Sequence, residues 1–400
     1  MRGSAAQRRA WTGPAFWSLG FRPFFLFGAI WAASAMSLWI AMLTGWTAAP
    51  IRFSPVDWHA HEMLFGYLPA AIAGFLLTAV PNWTGRYPIM GWPLAGLFAL
   101  WLAGRFAVFL GSTLPALAVA ALDVSFLVAL AAAIAREIMA GRNWRNLKVL
   151  GLIATLAIAN GLYHAEALRG GSAAGGLGAR LATAVAIMLI VVIGGRIVPS
   201  FTRNWLAKEA PDVPHPAPFG WFDSISMLVS LAALTAWVLA PTHIITALAC
   251  LLAGLLCAVR IARWQGWRTG GEALVWVLHL GFAFVPLGFL AASASILSPD
   301  ALSARAAQHA FMAGAIGVMT LAVMTRASLG HSGRALHANA AVTTVYLLAA
   351  ASAVLRIASG LAGAPLWFLH AAAAAWIAAF ALFAWLYAPM LLRPRPANAP

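Results

Sequence analysis

Ten histidines lie in a chain of 400 residues that carries only 9% charged side chains, so most of them fall in apolar surroundings. Ionisable groups inside a bilayer are costly and mark functional positions by default. Imidazole ligates iron, copper and zinc. The densest segment is Trp58-His-Ala-His-Glu-Met63. On a regular helix His59 and His61 point about 200° apart, at about 100° per residue, and should not hold one ion together. His59 shares a face with Glu62 and Met63, so imidazole, carboxylate and thioether together suit copper. His61 faces the other way and could take a haem iron at one axial position. His309 shares a face with Met312. Arg105 and Asp123 lie at one depth on neighbouring helices and are expected to pair. The His-Glu-x-x-His zinc-protease pattern is absent, as are a Walker motif, a Cys-x-x-Cys-His haem attachment and a Ser-His-Asp arrangement. The Gly194-Gly-Arg196 run follows an apolar helix and lacks the spacing of a dinucleotide fingerprint.

The elements that must position these groups follow from composition. Hydrophobic residues make up 63% of the chain. Soluble domains carry about 25% charged residues, so a soluble fold is excluded. Spanning helices need about 20 mainly apolar residues, and candidates fall near 24–44, 58–80, 91–110, 114–136, 147–168, 178–200, 221–240, 242–262, 272–296, 302–326, 338–358 and 363–391. The fold class is therefore all-α, a polytopic membrane bundle of about 12 transmembrane helices. It reads as one integral membrane domain over 1–400, with 1–205 and 218–400 as candidate halves joined by a proline-rich loop. The apolar run after the basic N-terminus lacks a small-residue cleavage site and reads as a retained helix. Cys250 and Cys257, seven apart on one helix, are about 10 Å apart along its axis, too far for a disulfide.

The net charge of +15 comes from short loops, which argues against nucleic acid and sets orientation. One set of alternate loops holds Arg8, Arg9, Arg86, the Arg136 to Lys148 group, Arg203, Lys208, the Arg260 to Arg268 group, Arg326, Arg334, Arg393 and Arg395. The other holds only Arg52, Arg169, Arg180, Arg305 and Arg356. Both termini are therefore expected in the cytoplasm. On that orientation His59, His61, His164, His309 and His370 form a layer in the outer half of the membrane, and His279 lies in the inner half. His331 and His337 fall in the inner loop after the tenth helix. The second, sixth and tenth helices end in similar runs, Ala79-Val-Pro-Asn-Trp-Thr-Gly-Arg86, Ile197-Val-Pro-Ser-Phe-Thr-Arg203 and Val323-Met-Thr-Arg326, which suggests three four-helix units.

The chain resembles the NnrS family of bacterial membrane proteins. The resemblance rests on Phe21-Arg-Pro-Phe-Phe25, Trp58-His-Ala-His-Glu-Met63, Gly74-Phe-Leu-Leu-Thr78, Asn82-Trp-Thr84, Gly194-Gly-Arg196, Pro199-Ser-Phe-Thr202, Leu278-His279 and the run from His309 to Arg334. It implies a cytoplasmic-membrane protein holding non-covalent haem b and copper, tied to nitric oxide, denitrification and nitrosative stress. If nitric oxide is turned over, the protein is a haem-dependent oxidoreductase with an electron donor still to be named. The candidate cofactor-binding residues are His61, His309, His279, Arg196 and Arg326. The candidate metal ligands are His59, His61, His309, His279, His331, Glu62 and Met63. The resemblance gives His164 and His370 no support. By analogy, three groups of four helices resemble the catalytic subunit of haem–copper oxidases, with His61 or His59 and His309 clamping a haem, although helices six and seven lack the copper-binding histidines of that fold. The rival readings are a twelve-helix secondary transporter and a non-catalytic metal or haem assembly or sensor protein.

Overall fold

The computed structural model describes residues 11–395, so the basic stretch with Arg8 and Arg9 and the last five residues lie outside it. Twelve helices among the described residues are long and apolar enough to span a membrane. In chain order they are α1 Phe21–Leu43, α2 Pro55–Thr84, α3 Trp92–Phe109, α4 Ala116–Ala140, α5 Trp144–Leu168, α6 Leu177–Glu209, α7 Trp221–Leu239, α8 Ile244–Arg268, α9 Ala273–Leu297, α10 Ala304–His331, α11 Ala340–Ala358 and α12 Trp367–Leu392. Apart from one isolated bridge between Leu302 and Leu361, the described residues contain no β-structure. The protein is a multi-pass membrane protein, and its solvent is the lipid bilayer. Exposed apolar side chains such as Leu117, Leu228, Leu248 and Leu347, on α4, α7, α8 and α11, are the surface such a solvent requires.

The chain divides into two compact units. One takes in the chain up to Ala182, with Met324–Ala335 and the segment from Phe380 onward; the other takes Thr183–Val323 and Leu336–Ala379. In the first, α2 packs against α1 and α4, α3 against α4, and α4 against α5. In the second, α8 packs against α7 and α9, and α10 against α9 and α11.

Helix ends follow local chemistry. Ser54 caps α2 by accepting from the Asp57 amide, with Pro55 at the first helical position. Gly85, at φ 68°, ends α2 in a left-handed conformation that favours glycine. Ser303 and Asn339 cap α10 and α11 in the same manner as Ser54. The short turn at Pro241 separates two helices, with His243 capping the second. Both cysteines are free and buried.

Two sequence expectations shift. The sixth helix, expected to stop near 200, runs on to Glu209, because its continuation buries Val198, Thr202 and Leu206 on one face. The loop that follows is correspondingly shorter. His331, expected in a loop, is the last residue of α10. Three helices contain wider π-helical turns: Glu62–Tyr67 in α2, Ile190–Gly194 in α6 and Ala310–Val318 in α10. They are the longest three, at 30, 33 and 28 residues, and are the same three whose ends look alike in the sequence. Turns of this type are rare and frequently mark functional sites.

Candidate metal centre

The π-helical turn of α2 begins directly after His61, and it changes which side chains meet. Glu62 turns to Arg105 on α3, whose Nη1 donates to Oε2 at 2.6 Å, and to Trp31 on α1, whose indole donates to the same oxygen at 2.7 Å. The π turn leaves room for this junction only because Gly66 has no side chain. A Cβ there would stand 2.5 Å from Glu62 Oε2, 2.7 Å from Arg105 Nη1 and 2.8 Å from Trp31 Nε1. Arg105 reaches onward through Nη2 to Asp123 on α4, the pairing the sequence anticipated.

Asp123 is where several side chains converge. Its Oδ2 lies 3.0 Å from His61 Nε2 and 3.0 Å from His164 Nε2, and it accepts from the Asn160 amide at 2.7 Å. His61 Nδ1 lies 3.0 Å from Glu62 Oε1. His61, Glu62 and Asn160 have no exposed surface, and Arg105, Asp123 and His164 have at most 5%. Tyr163 braces the end of α2 by donating to the Asp57 carbonyl at 2.7 Å, and its ring packs edge-on to His61.

Charge decides what this cluster can hold. Glu62 and Asp123 bring two negative charges and Arg105 brings one positive charge. Uncompensated charge is costly at this depth, so the cluster accommodates one further cation, a proton on imidazole or a metal ion. One atom each from His61, Asp123 and His164 lies within 4.8 Å of the others. Two imidazoles and a carboxylate are a donor set for copper, iron or zinc, and neighbouring donors 3.0 Å apart match bonds of about 2.0–2.2 Å to a shared ion. Beside His164 is a cavity of about 20 Å³, bounded by Arg52, Phe53, Val108, Val119 and Leu168 among others. That is room for one water-sized molecule. The set would suit copper, iron or zinc, and the small cavity lies on its His164 side.

The other anticipated residues are placed as follows. His59 is half-buried and stacks on Trp39, with ring centroids 4.1 Å apart. Met63 is buried. Glu62, expected to share a face with His59, hydrogen-bonds Arg105 and Trp31 and lies 3.0 Å from His61 Nδ1, and the π turn begins at it. His309 closes the first turns of α10, and its Nδ1 lies 2.7 Å from the Arg305 carbonyl. A carbonyl only accepts, so Nδ1 donates here, and a neutral His309 ring would be the Nδ1–H tautomer that suits an axial haem ligand. His279 is buried on α9 and hydrogen-bonds Thr202. His331 packs against Phe21. Arg196 is exposed and Arg326 half-buried. His370 is exposed. Sequence reasoning missed Asp123 and His164 as partners of His61. The available signal was a carboxylate in the midst of an apolar run, with an Asn160 to His164 pair one turn apart on the next helix.

Comparison with curated proteins returns no match. A family model described as NnrS protein matches residues 15–395, nearly the whole chain. The chain belongs to the NnrS family.

Proposed function

We propose that this protein binds haem b and copper in the cytoplasmic membrane and binds or consumes nitric oxide there, as part of the response to nitrosative stress. The observation that carries this reading is the buried His61, Asp123 and His164 set beside a cavity sized for one small molecule. A transition metal with an open position supplies a binding site for nitric oxide, which is small and apolar enough to arrive through lipid. The chain's own part is to hold the donors. Arg105 and Asn160 fix the Asp123 carboxylate, Glu62 orients His61, and Phe53, Val108 and Leu168 keep the cavity largely apolar. Metal affinity and reactivity depend on such outer partners nearly as much as on the ligands.

Within this proposal His61 belongs to the copper ion, since both its ring nitrogens face carboxylates. His309 is the proposed haem ligand, with its tautomer set by Arg305. The bias of loop charge supports an orientation with both termini in the cytoplasm and the amino-terminal end of α2 near the outer surface. The absorption spectrum of the purified protein tests the haem: a Soret band is expected after haem-sufficient expression, and His309→Ala should abolish or shift it. A wild-type preparation without that band refutes the haem reading, and an unchanged band in the variant refutes the ligand.

A further inference from the structure

At the end of the first unit where α2 and α4 finish, one buried carboxylate gathers two arginines. Glu137, in the last turn of α4, is only 4% exposed. Its Oε2 accepts from Arg86 Nε, on the loop after α2, at 2.7 Å. Its Oε1 accepts from Arg136 Nε at 2.9 Å and Nη2 at 2.8 Å. Arg86 therefore keeps both terminal nitrogens, and Arg136 keeps Nη1, uncommitted among the described residues. The two side chains are 43% and 66% exposed, so these donors face outward. One arginine neutralises Glu137; the second leaves the trio with a single positive charge.

The support beneath these arginines is closely packed. The Asn143 side chain donates to the Trp83 carbonyl and ties the loop after α4 to the end of α2. Gly141 lets α4 end against α2, since a Cβ there would stand 2.6 Å from Thr84 Cβ. Arg142 follows at φ 50°, in the left-handed region where a helix end ordinarily carries glycine, so an arginine is kept there at a conformational cost. Arg145 and Lys148 continue the basic surface on the first turns of α5, and all three are exposed. No further carboxylate opposes them. In this unit Asp57 begins α2 and Glu166 lies near the end of α5, both at the opposite end, and Glu62 and Asp123 belong to the His61 cluster.

Guanidinium groups suit phosphate oxygens, because each offers several N–H donors in a fixed fork. A phosphodiester carries one negative charge, which balances the trio. Beside the arginines the surface turns apolar: Met139 on α4 is 54% exposed, Trp144 58% and Leu147 on α5 43%. Exposed tryptophan with arginine marks the membrane–water boundary. A soluble phosphate ester gains nothing from that apolar strip, whereas acyl chains do. We propose that this surface binds an acidic phospholipid, its phosphodiester held between Arg86 and Arg136 and its acyl chains lying along Met139 and Leu147. Zwitterionic lipids share the phosphodiester, but their cationic headgroups are repelled by Arg142 and Arg145. The proposal concerns lipid binding and does not depend on the metal reading above.

Native mass spectrometry of the full-length protein in a neutral detergent tests it. Phosphatidylglycerol is the probe; phosphatidylcholine with the same chains and glycerophosphoglycerol, the diester without chains, are the comparisons. Phosphatidylglycerol should fill one site first, phosphatidylcholine should bind about tenfold more weakly, and the chain-free diester should not be retained. Arg86→Gln and Arg136→Gln should each weaken phosphatidylglycerol about tenfold, the worth of a charge-assisted hydrogen bond. Arg268→Gln removes an exposed arginine from the second unit and should leave binding unchanged, which separates a built site from the general attraction of basic loops. Equal retention of the two lipids, retention of the chain-free diester, unchanged binding in the Arg86 and Arg136 variants, or an equal loss in Arg268→Gln overturns the proposal. Should a glutamine variant fail to fold, Arg136→Lys, which keeps the charge and loses the fork, should also weaken the lipid.

Discussion

Asp123 Oδ2 stands 3.0 Å from an imidazole nitrogen of His61 and 3.0 Å from one of His164, and a single carboxylate oxygen so placed is a natural ligand shared by whatever cation lies between them. His164 lies at the edge of the cluster, next to the small cavity, and is the mildest place to probe it. His164→Ala should lower bound copper by at least about tenfold, in line with loss of a ligand or its support, while helical content is kept; elemental mass spectrometry on the purified protein reads the metal, and full copper occupancy in this variant would remove His164 from the site. Gly66 gives a second test. In Gly66→Ala the new methyl group must displace Glu62, Arg105 or Trp31, and overpacking of that kind costs about 1–3 kcal/mol. Gly96 on α3 has open space around it, and Gly96→Ala should be neutral or slightly stabilising. A thermal melt in detergent should separate the two, with the Gly66 variant clearly lower; equal midpoints would deny the close packing at Gly66 any energetic role.

At the scale of elements, the difference between expectation and structure has one main cause. The face shared by His59, Glu62 and Met63 assumed an unbroken 3.6-residue period. The π turn at Glu62–Tyr67 widens the backbone from Glu62 onward and so shifts Met63 and the residues after it off that period, while Glu62 itself pairs with Arg105. No residue type in that stretch announces a π turn, since its stability comes from the neighbours that fill it, so the sequence could supply the ligands but not their pairing. The start of α1 was equally opaque. Arg22 proves to be buried, with Nη1 donating to the carbonyls of Met390, Leu391 and Arg393 and so capping the end of α12. Charge-assisted bonds to helix-terminal carbonyls are worth about 1.5–3 kcal/mol. Arg22→Ala should therefore lower the melting temperature and speed proteolytic clipping near Arg393; a tail cut at the wild-type rate would show that α12 needs no such cap.

For the whole molecule, the loop charges make a prediction about sides. A green fluorescent protein fused after Pro400 should fluoresce, and an alkaline phosphatase fused in the loop between α1 and α2, near Thr47, should be active, because folding of the first succeeds in the cytoplasm and of the second only beyond the membrane. The reverse pattern would invert the orientation and move the His61 cluster to the cytoplasmic side.

The sequence by itself determined the class of molecule, the number of spans and the residues worth watching. Twelve apolar runs of spanning length need no tertiary information to be seen, because lipid demands that each satisfy its own backbone hydrogen bonds. Family membership was likewise legible in the ordered runs from Phe21 to Arg334. Only the tertiary structure decided that His61 meets Asp123 and His164 rather than acting alone, and that the Glu137 carboxylate holds Arg86 beside Arg136. Both depend on contacts between helices far apart in the chain. Helical periodicity fixes where a side chain points around its own axis, but the neighbour it meets is set by how helices pack and by local widening of a turn, which are properties of the assembled bundle.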